Sequence, residues 1–101
     1  MIKNLVRRFL YNYVGDQFST SHNVLFLKDK NFQIAYNKAC NTIGFDPNIH
    51  FRIHQIIWAA KNVHKIPGDI VELGTGTGFS MLALLNYYKS WNKEKKKFIS
   101  F

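Results

Sequence analysis

The C-terminal half of the chain is organised around the segment Asp69-Ile70-Val71-Glu72-Leu73-Gly74-Thr75-Gly76-Thr77-Gly78-Phe79-Ser80. The segment begins with a short apolar run rich in β-branched residues, and Pro67 and Gly68 stand just before it. This pattern predicts a strand that is buried on both faces and lies centrally in a parallel sheet. The alternate glycines that follow predict a tight turn, and a helix is expected to begin at Phe79 and Ser80.

The spacing of the three glycines indicates a ligand site. Glycines at alternate positions permit positive φ and remove Cβ atoms, so a ligand can lie against the backbone. The hydroxyls of Thr75 and Thr77 can add hydrogen bonds, and the N–H groups at the helix start suit an anion. A connection that binds nothing is the alternative. The acid at Glu72, together with the strand and the helix, favours a nucleotide-type site.

Two common nucleotide motifs do not fit this segment. A P-loop requires Gly-Lys-Ser or Gly-Lys-Thr, which is not found here. The dinucleotide pattern requires its last glycine where Phe79 stands.

The run from Glu72 to Gly78 resembles the first motif of class I S-adenosylmethionine-dependent methyltransferases. Residues 66–72, preceded by a helix that carries Arg52, resemble more narrowly the macrocin O-methyltransferase group, which acts on small hydroxylated molecules. The resemblance implies S-adenosylmethionine as cofactor, with Glu72 holding the methionyl amino group and the helix start holding its carboxylate. It implies that the cofactor-binding residues are Glu72, Gly74, Thr75, Gly76, Thr77, Gly78, Phe79 and Ser80. No residue is nominated as the catalytic base.

The chain has 101 residues, which is less than a complete doubly wound sheet and its helices usually occupy. Residues 97–101 predict a second strand. In such folds an acid about 20 or more residues after the glycines binds the ribose hydroxyls, and here it would fall at or beyond Phe101. Glu94 lies at a suitable count, but it precedes the strand and is interpreted as a solvated turn residue in the run Lys93 to Lys97.

We therefore expect an α/β protein that is one partial methyltransferase domain, truncated and inactive alone. Residues 1–66 form its helical lead-in. Residues 67–101 form the first β-α-β unit of a Rossmann-like sheet. In the intact enzyme the acceptor is expected to be a small hydroxylated molecule.

The first residues, 2–14, predict an amphipathic basic helix that Gly15 ends, with Lys3, Arg7 and Arg8 opposite the apolar side. A membrane-surface role is one interpretation. Packing on the core, as a lid or dimer helix, is favoured because no second anchoring signal is evident. Membrane contact is therefore not expected, whereas a homo-oligomer stays open.

Three further segments complete the prediction. Residues 16–29 predict a loop with a short apolar segment that docks on the core. A second helix is expected over residues 31–43, with Gly44 at its end, and Asp46-Pro47 is expected to start a third helix that runs through Val63. The residues expected to face inward are Phe32, Ala35, Tyr36, Ala39, Cys40 and Ile43 on the second helix and Ile53, Ile56, Ile57, Ala60 and Val63 on the third. The helix after Gly78 is expected to present the apolar residues Met81, Leu82, Leu84, Leu85, Tyr88 and Trp91.

The remaining titratable residues give weaker signals. His50 and His54 share a helix face, but without a third ligand they are interpreted as solvated or hydrogen-bonded and not as metal ligands. Arg52 is assigned to a surface salt bridge. The lone Cys40 is interpreted as a small buried hydrophobe. Ser80 has no evident His and acid partners for nucleophilic catalysis.

Charge and composition limit the alternatives. Fourteen basic against six acidic residues give a net charge of +8, but the basic residues are scattered, so nucleic acid ranks below a small molecule as partner. No signal-like segment or apolar run of about 18 residues is present, and a cytoplasmic location is expected. Two other functions stay open: another nucleotide-dependent Rossmann-type enzyme, such as a dehydrogenase, or a non-catalytic basic interaction module.

Overall fold

The computed structural model describes residues 1–93 and 95–101, without the side chains of residues 91 and 92. Our interpretations of Glu94 and of the Trp91 side chain lie outside this description. The elements run in the order α1 (Ile2–Leu10), β1 (Tyr13–Gly15), β2 (Phe18–Thr20), α2 (Lys30–Ile43), α3 (His50–Val63), β3 (Ile70–Glu72), α4 (Phe79–Tyr87) and β4 (Phe98–Ser100). Two 3-10 turns lie at Leu25–Lys28 and Lys89–Lys93. None of the helices in the described residues has the length and apolar composition that crossing a membrane requires.

Helices α2, α3 and α4 build the core. The predicted inward faces of α2 and α3 are confirmed, except that Val63 is exposed. The buried residues are Phe32, Ala35, Tyr36 and Ala39 from α2, Ile53, Ile57 and Ala60 from α3, and Phe79, Ala83 and Leu84 from α4. The prediction extended the last helix to Tyr88 and Trp91, but α4 ends at Tyr87 and a separate 3-10 turn follows.

The C-terminal part contains the predicted β-α-β unit. Strands β3 and β4 pair in parallel, with Val71 opposite Ile99, and α4 connects them. The prediction that β3 is buried on both faces is wrong: Val71 is 53% exposed and Leu73 79% exposed. Ile70 and Phe98 pack against the helical core, whereas Val71 and Ile99, on the other face, are 53% and 37% exposed.

The lysine run before β4 is only partly solvated, unlike the prediction. Lys96 is half-buried and donates through Nζ to the carbonyls of Ile66 and Gly68, the latter at 3.0 Å. The Lys97 N–H donates to Asp69 Oδ1 at 2.9 Å. These bonds tie the start of β4 to the turn that precedes β3.

The prediction of one helix over residues 2–14 is wrong, because α1 ends at Leu10 and residues 13–15 form a strand. β1 pairs antiparallel with β2 through a turn in which Asp16 and Gln17 have positive φ. Tyr13 is only 6% exposed, and its ring packs on Phe51 at 4.9 Å. This tertiary burial overrides the helical spacing of the apolar residues. The loop expected over residues 16–29 therefore contains β2, while its apolar segment docks on the core through Phe26 and Leu27, as predicted.

The expectation that the first helix packs on the core is also wrong. No residue of α1 is buried, and on its apolar side Leu5 is 73% and Phe9 91% exposed. The helix instead adjoins the β1–β2 hairpin, where Arg7 Nη2 donates to Ser19 Oγ at 3.3 Å.

The sequence predicted that the third helix starts at Asp46-Pro47. This is wrong, because α3 begins at His50. The Asp46 carboxylate accepts the Asn48 N–H at 2.7 Å and the Tyr36 hydroxyl at 2.7 Å, so it is engaged before the helix starts. The α3 N-terminus is capped by Asp16, which accepts the Phe51 N–H at 2.9 Å and the Arg52 N–H at 3.2 Å. A residue of the hairpin turn thus satisfies a helix end distant in sequence.

Replacing Asp16 with Ala is expected to lower the free energy of unfolding by about 2 kcal/mol, because the change removes the α3 cap and leaves the Tyr13 hydroxyl without its acceptor. Tyr13→Phe is the matched control: it removes one hydroxyl, keeps the cap and should cost less. Urea unfolding of the three proteins measures the difference. Equal stability of Asp16→Ala and the parent would contradict the capping role.

Candidate functional site

The loop between β3 and α4 has the backbone that its glycines predicted. Gly74, Gly76 and Gly78 have φ values of 74°, 55° and 78°, in the left-handed region that other residues rarely adopt. A Cβ built on any of the three would meet no other atom within 4 Å. Glycine is therefore required here by backbone conformation, and the space beside the loop is open to a ligand.

The loop is anchored to the end of β4. The main-chain oxygen of Phe101 accepts the N–H groups of Gly74 and Thr75, each at 3.0 Å, and the Thr75 hydroxyl at 3.1 Å. The Gly78 N–H donates to the Thr75 carbonyl at 2.9 Å and closes the turn. These donors are satisfied within the protein, so Thr75 holds the loop in place.

Free donors remain further along the loop. The N–H groups of Gly76 and Thr77 have no hydrogen-bond partner among the described residues. Phe79, Ser80 and Met81 form the first turn of α4, where an α-helix offers no acceptor to its own N–H groups. The N-cap is Gly78, and no side chain caps this end. The partial positive charge of the helix start is thus available to an anion.

Glu72 lies at the carboxyl end of β3 beside this helix start. Its Oε2 atom is buried and has no hydrogen-bond partner among the described residues. Glu72 and Leu73 line an open groove of about 290 Å³ together with Ser80 and Met81 of α4. A buried carboxylate oxygen without a donor is costly. A cationic donor in the groove would remove that cost.

The predicted site residues lie in one segment of the chain, but their side chains have different environments. Glu72 and Ser80 line the groove, and Thr77 is exposed on the loop. The Phe79 side chain belongs to the core: it is 4% exposed, and its ring meets Tyr36 at 5.1 Å between centroids. Phe79 can therefore contribute only its backbone N–H to the site.

The groove is thus lined both by the acid at the end of β3 and by residues of the first turn of α4, whose N-terminus has no side-chain cap. Comparison with models of protein families, with curated proteins and with solved structures finds no significant match. The function must accordingly be argued from this geometry.

A second polar cluster, which the sequence did not reveal, lies at the start of α3. The His50 ring stacks on the Tyr36 ring, with 3.9 Å between the centroids and 16° between the ring planes. The Nδ1 atom of His50 is buried and has no hydrogen-bond partner among the described residues. Burial lowers the pKa of His50, while Asp46 and Asp16 oppose that shift. Burial and the Asp46 carboxylate raise the pKa of Tyr36. The sequence predicted a solvated or hydrogen-bonded His50. The solvated alternative is wrong, because the ring is half-buried against the rings of Tyr13 and Tyr36.

His54 and Cys40 are each packed against other residues of the protein. His54 stacks on Phe26 at 4.1 Å, and burial lowers its pKa. Among the described residues no group of three or more potential metal ligands comes together. Cys40 is half-buried, and burial raises the pKa of its thiol, which disfavours the reactive thiolate.

We expect Thr75→Val to lower the free energy of unfolding by about 1 kcal/mol, because the nearly isosteric side chain cannot donate to Phe101. Thr77→Val is the matched control, since the Thr77 side chain is exposed and should tolerate the change. Denaturant unfolding measures both variants. The anchoring role would be contradicted if the two substitutions had the same effect.

The lowered pKa of His50 also predicts a pH dependence of stability. The unfolded chain binds a proton near the ordinary imidazole pKa of about 6.5, whereas the folded protein binds it only at lower pH. Stability is therefore fully present above about pH 6.5 and is lost as the pH falls through the folded pKa. His50→Phe keeps an aromatic ring and should flatten this decline between about pH 7 and pH 5.

Thermal unfolding at several pH values tests this expectation. The pKa of His54 is lowered for the same main reason, so the double variant His50→Phe and His54→Phe should flatten the decline further. An unchanged slope in the double variant would show that neither imidazole is held neutral by burial.

Proposed function

We propose that the groove beside the glycine loop binds S-adenosylmethionine and that the protein is a methyltransferase of the Rossmann-like class or a part of one. The observation that carries the proposal is the unpartnered Glu72 Oε2 next to the free amides at the start of α4. A ligand with an ammonium and a carboxylate on the same carbon atom would satisfy both. The methionyl end of S-adenosylmethionine is such a group.

The same geometry argues against a dinucleotide. In a dinucleotide site the helix start receives a pyrophosphate, and here that double negative charge would lie beside the Glu72 carboxylate. Unlike charges attract and like charges repel most strongly where water is excluded. The groove therefore favours a zwitterion over a polyanion.

Different residues of the site would bind different groups of the cofactor. Glu72 would accept hydrogen bonds from the ammonium group, and the N–H groups of Ser80 and Met81 would donate to the carboxylate. Gly76 would keep the loop free of side-chain bulk. When bound, the cofactor supplies an electrophilic methyl group on its sulfonium sulfur.

Catalysis would then rest mainly on proximity, with an acceptor oxygen held in line with the methyl group. The similarity of residues 66–72 to the macrocin O-methyltransferase group supports a small hydroxylated acceptor. No described residue is assigned as a general base.

Titration calorimetry with S-adenosylhomocysteine tests the carboxylate. Glu72→Gln is expected to weaken binding about tenfold or more, because it removes a charge-assisted hydrogen bond. Asp69→Asn is the control: it changes an acid before the same strand, on a side chain that already accepts the Lys97 N–H. Equal affinities for all three proteins would contradict the assignment.

Gly76→Val tests the loop in the same titration. The substituted residue would strain a backbone at φ 55° and place its side chain in the open space beside the loop. Gly44→Val is the matched control, since Gly44 also has positive φ with open space around it but ends α2. Loss of binding in Gly76→Val alone separates ligand exclusion from general strain.

Two further titrations address the other functions. Preferential binding of NAD would favour a dehydrogenase. Salt-sensitive binding to duplex DNA without any cofactor affinity would favour a basic interaction module.

A further inference from the structure

Helix α1 exposes an apolar face that the rest of the protein leaves uncovered. Every residue of the helix is exposed, and its large apolar side chains are Ile2, Leu5, Val6, Phe9 and Leu10. With helical spacing these residues form one continuous side of α1. A contiguous apolar surface of this kind on a folded protein marks an interaction site.

Helix α1 lies beside the β1–β2 hairpin. Arg7 donates to Ser19 of β2, so the polar side of the helix faces the hairpin. Helix α1 also contacts β1. The apolar side is consequently turned away from the core formed by α2, α3 and α4.

Charge indicates what covers this face. Helix α1 contains Lys3, Arg7 and Arg8 and no acidic residue, and the whole chain carries a net charge of +8. A second copy would bring the same positive charge to the contact, whereas an anionic lipid surface would neutralise it. A short helix with strong segregation of apolar and basic residues is typical of segments that lie in a membrane interface.

We propose that α1 is an interfacial helix that seats this chain on anionic phospholipid. Its apolar side enters the boundary between headgroups and acyl chains. Lys3 and Arg8 reach the phosphates, with their aliphatic stems lying along the apolar layer. This attachment is peripheral and reversible, and it is independent of the proposed cofactor site.

Vesicle co-sedimentation with the full chain tests the proposal. The chain is expected to bind phosphatidylcholine vesicles that contain about 30 mol % phosphatidylglycerol, and to bind pure phosphatidylcholine about tenfold more weakly. Raising the salt concentration to about 1 M should remove most of this difference, because it shortens the screening length.

Two pairs of variants locate the contact. Phe9→Ser should weaken binding about tenfold, whereas Phe45→Ser, at an exposed aromatic residue outside α1, should not. Arg8→Glu should weaken binding to the anionic vesicles, whereas Lys38→Glu on the exposed side of α2 makes the same change of charge and should have a much smaller effect. All four positions are exposed, so circular dichroism should show an unchanged fold.

Three results would overturn the proposal. Equal binding to neutral and anionic vesicles would exclude recognition of charge. An equal effect of Arg8→Glu and Lys38→Glu would show that net charge and not α1 is responsible. Absence of vesicle binding, together with a dimer in sedimentation velocity that Phe9→Ser abolishes, would assign the face to a second copy.

Discussion

The packing of α4 against the other two core helices fixes the candidate site. Phe79, Ala83 and Leu84 are buried in that core, so the first turn of α4 cannot shift without opening it. The glycine loop leads directly into this turn, and its other end continues from β3. Because both ends are held, the free amides and the Glu72 carboxylate keep a constant relation to each other. That relation is the basis of the proposed function.

Polar groups in this protein fall into two sets. Asp16 and Asp46 are fully used: one caps α3, and the other accepts from Tyr36 and Asn48. Glu72 Oε2 and His50 Nδ1 are buried without partners among the described residues. Buried polar atoms in folded proteins are nearly always paired, so an unpaired one needs an explanation. For Glu72 the ammonium group of the proposed cofactor would provide it.

The N-terminal helix shows a different balance. Its amphipathic pattern is as regular as that of a core helix, yet its apolar side contacts no core. Residues 13–15 form a strand of the hairpin and do not continue the helix. Burying the Tyr13 ring against Phe51 stabilises the fold more than leaving that ring on a helix surface would. The remaining helix is left with an apolar side in need of a covering surface.

Local chemistry predicted much of the fold. The inward faces of α2 and α3, the Gly44 end of α2, the strand before the glycines and the parallel strand after α4 could all be read from periodicity and from the position of glycine. The positive φ values of the loop followed from its composition in the same way, since few residues other than glycine accept them. Long-range contacts settled the rest. Asp16 caps a helix 35 residues away in sequence. Contact of Tyr13 with Phe51 favours a strand where the spacing predicted a helix, and the main-chain oxygen of Phe101 accepts a hydrogen bond from the Thr75 hydroxyl. Such choices depend on which surfaces meet when the chain collapses, and no local pattern records that meeting.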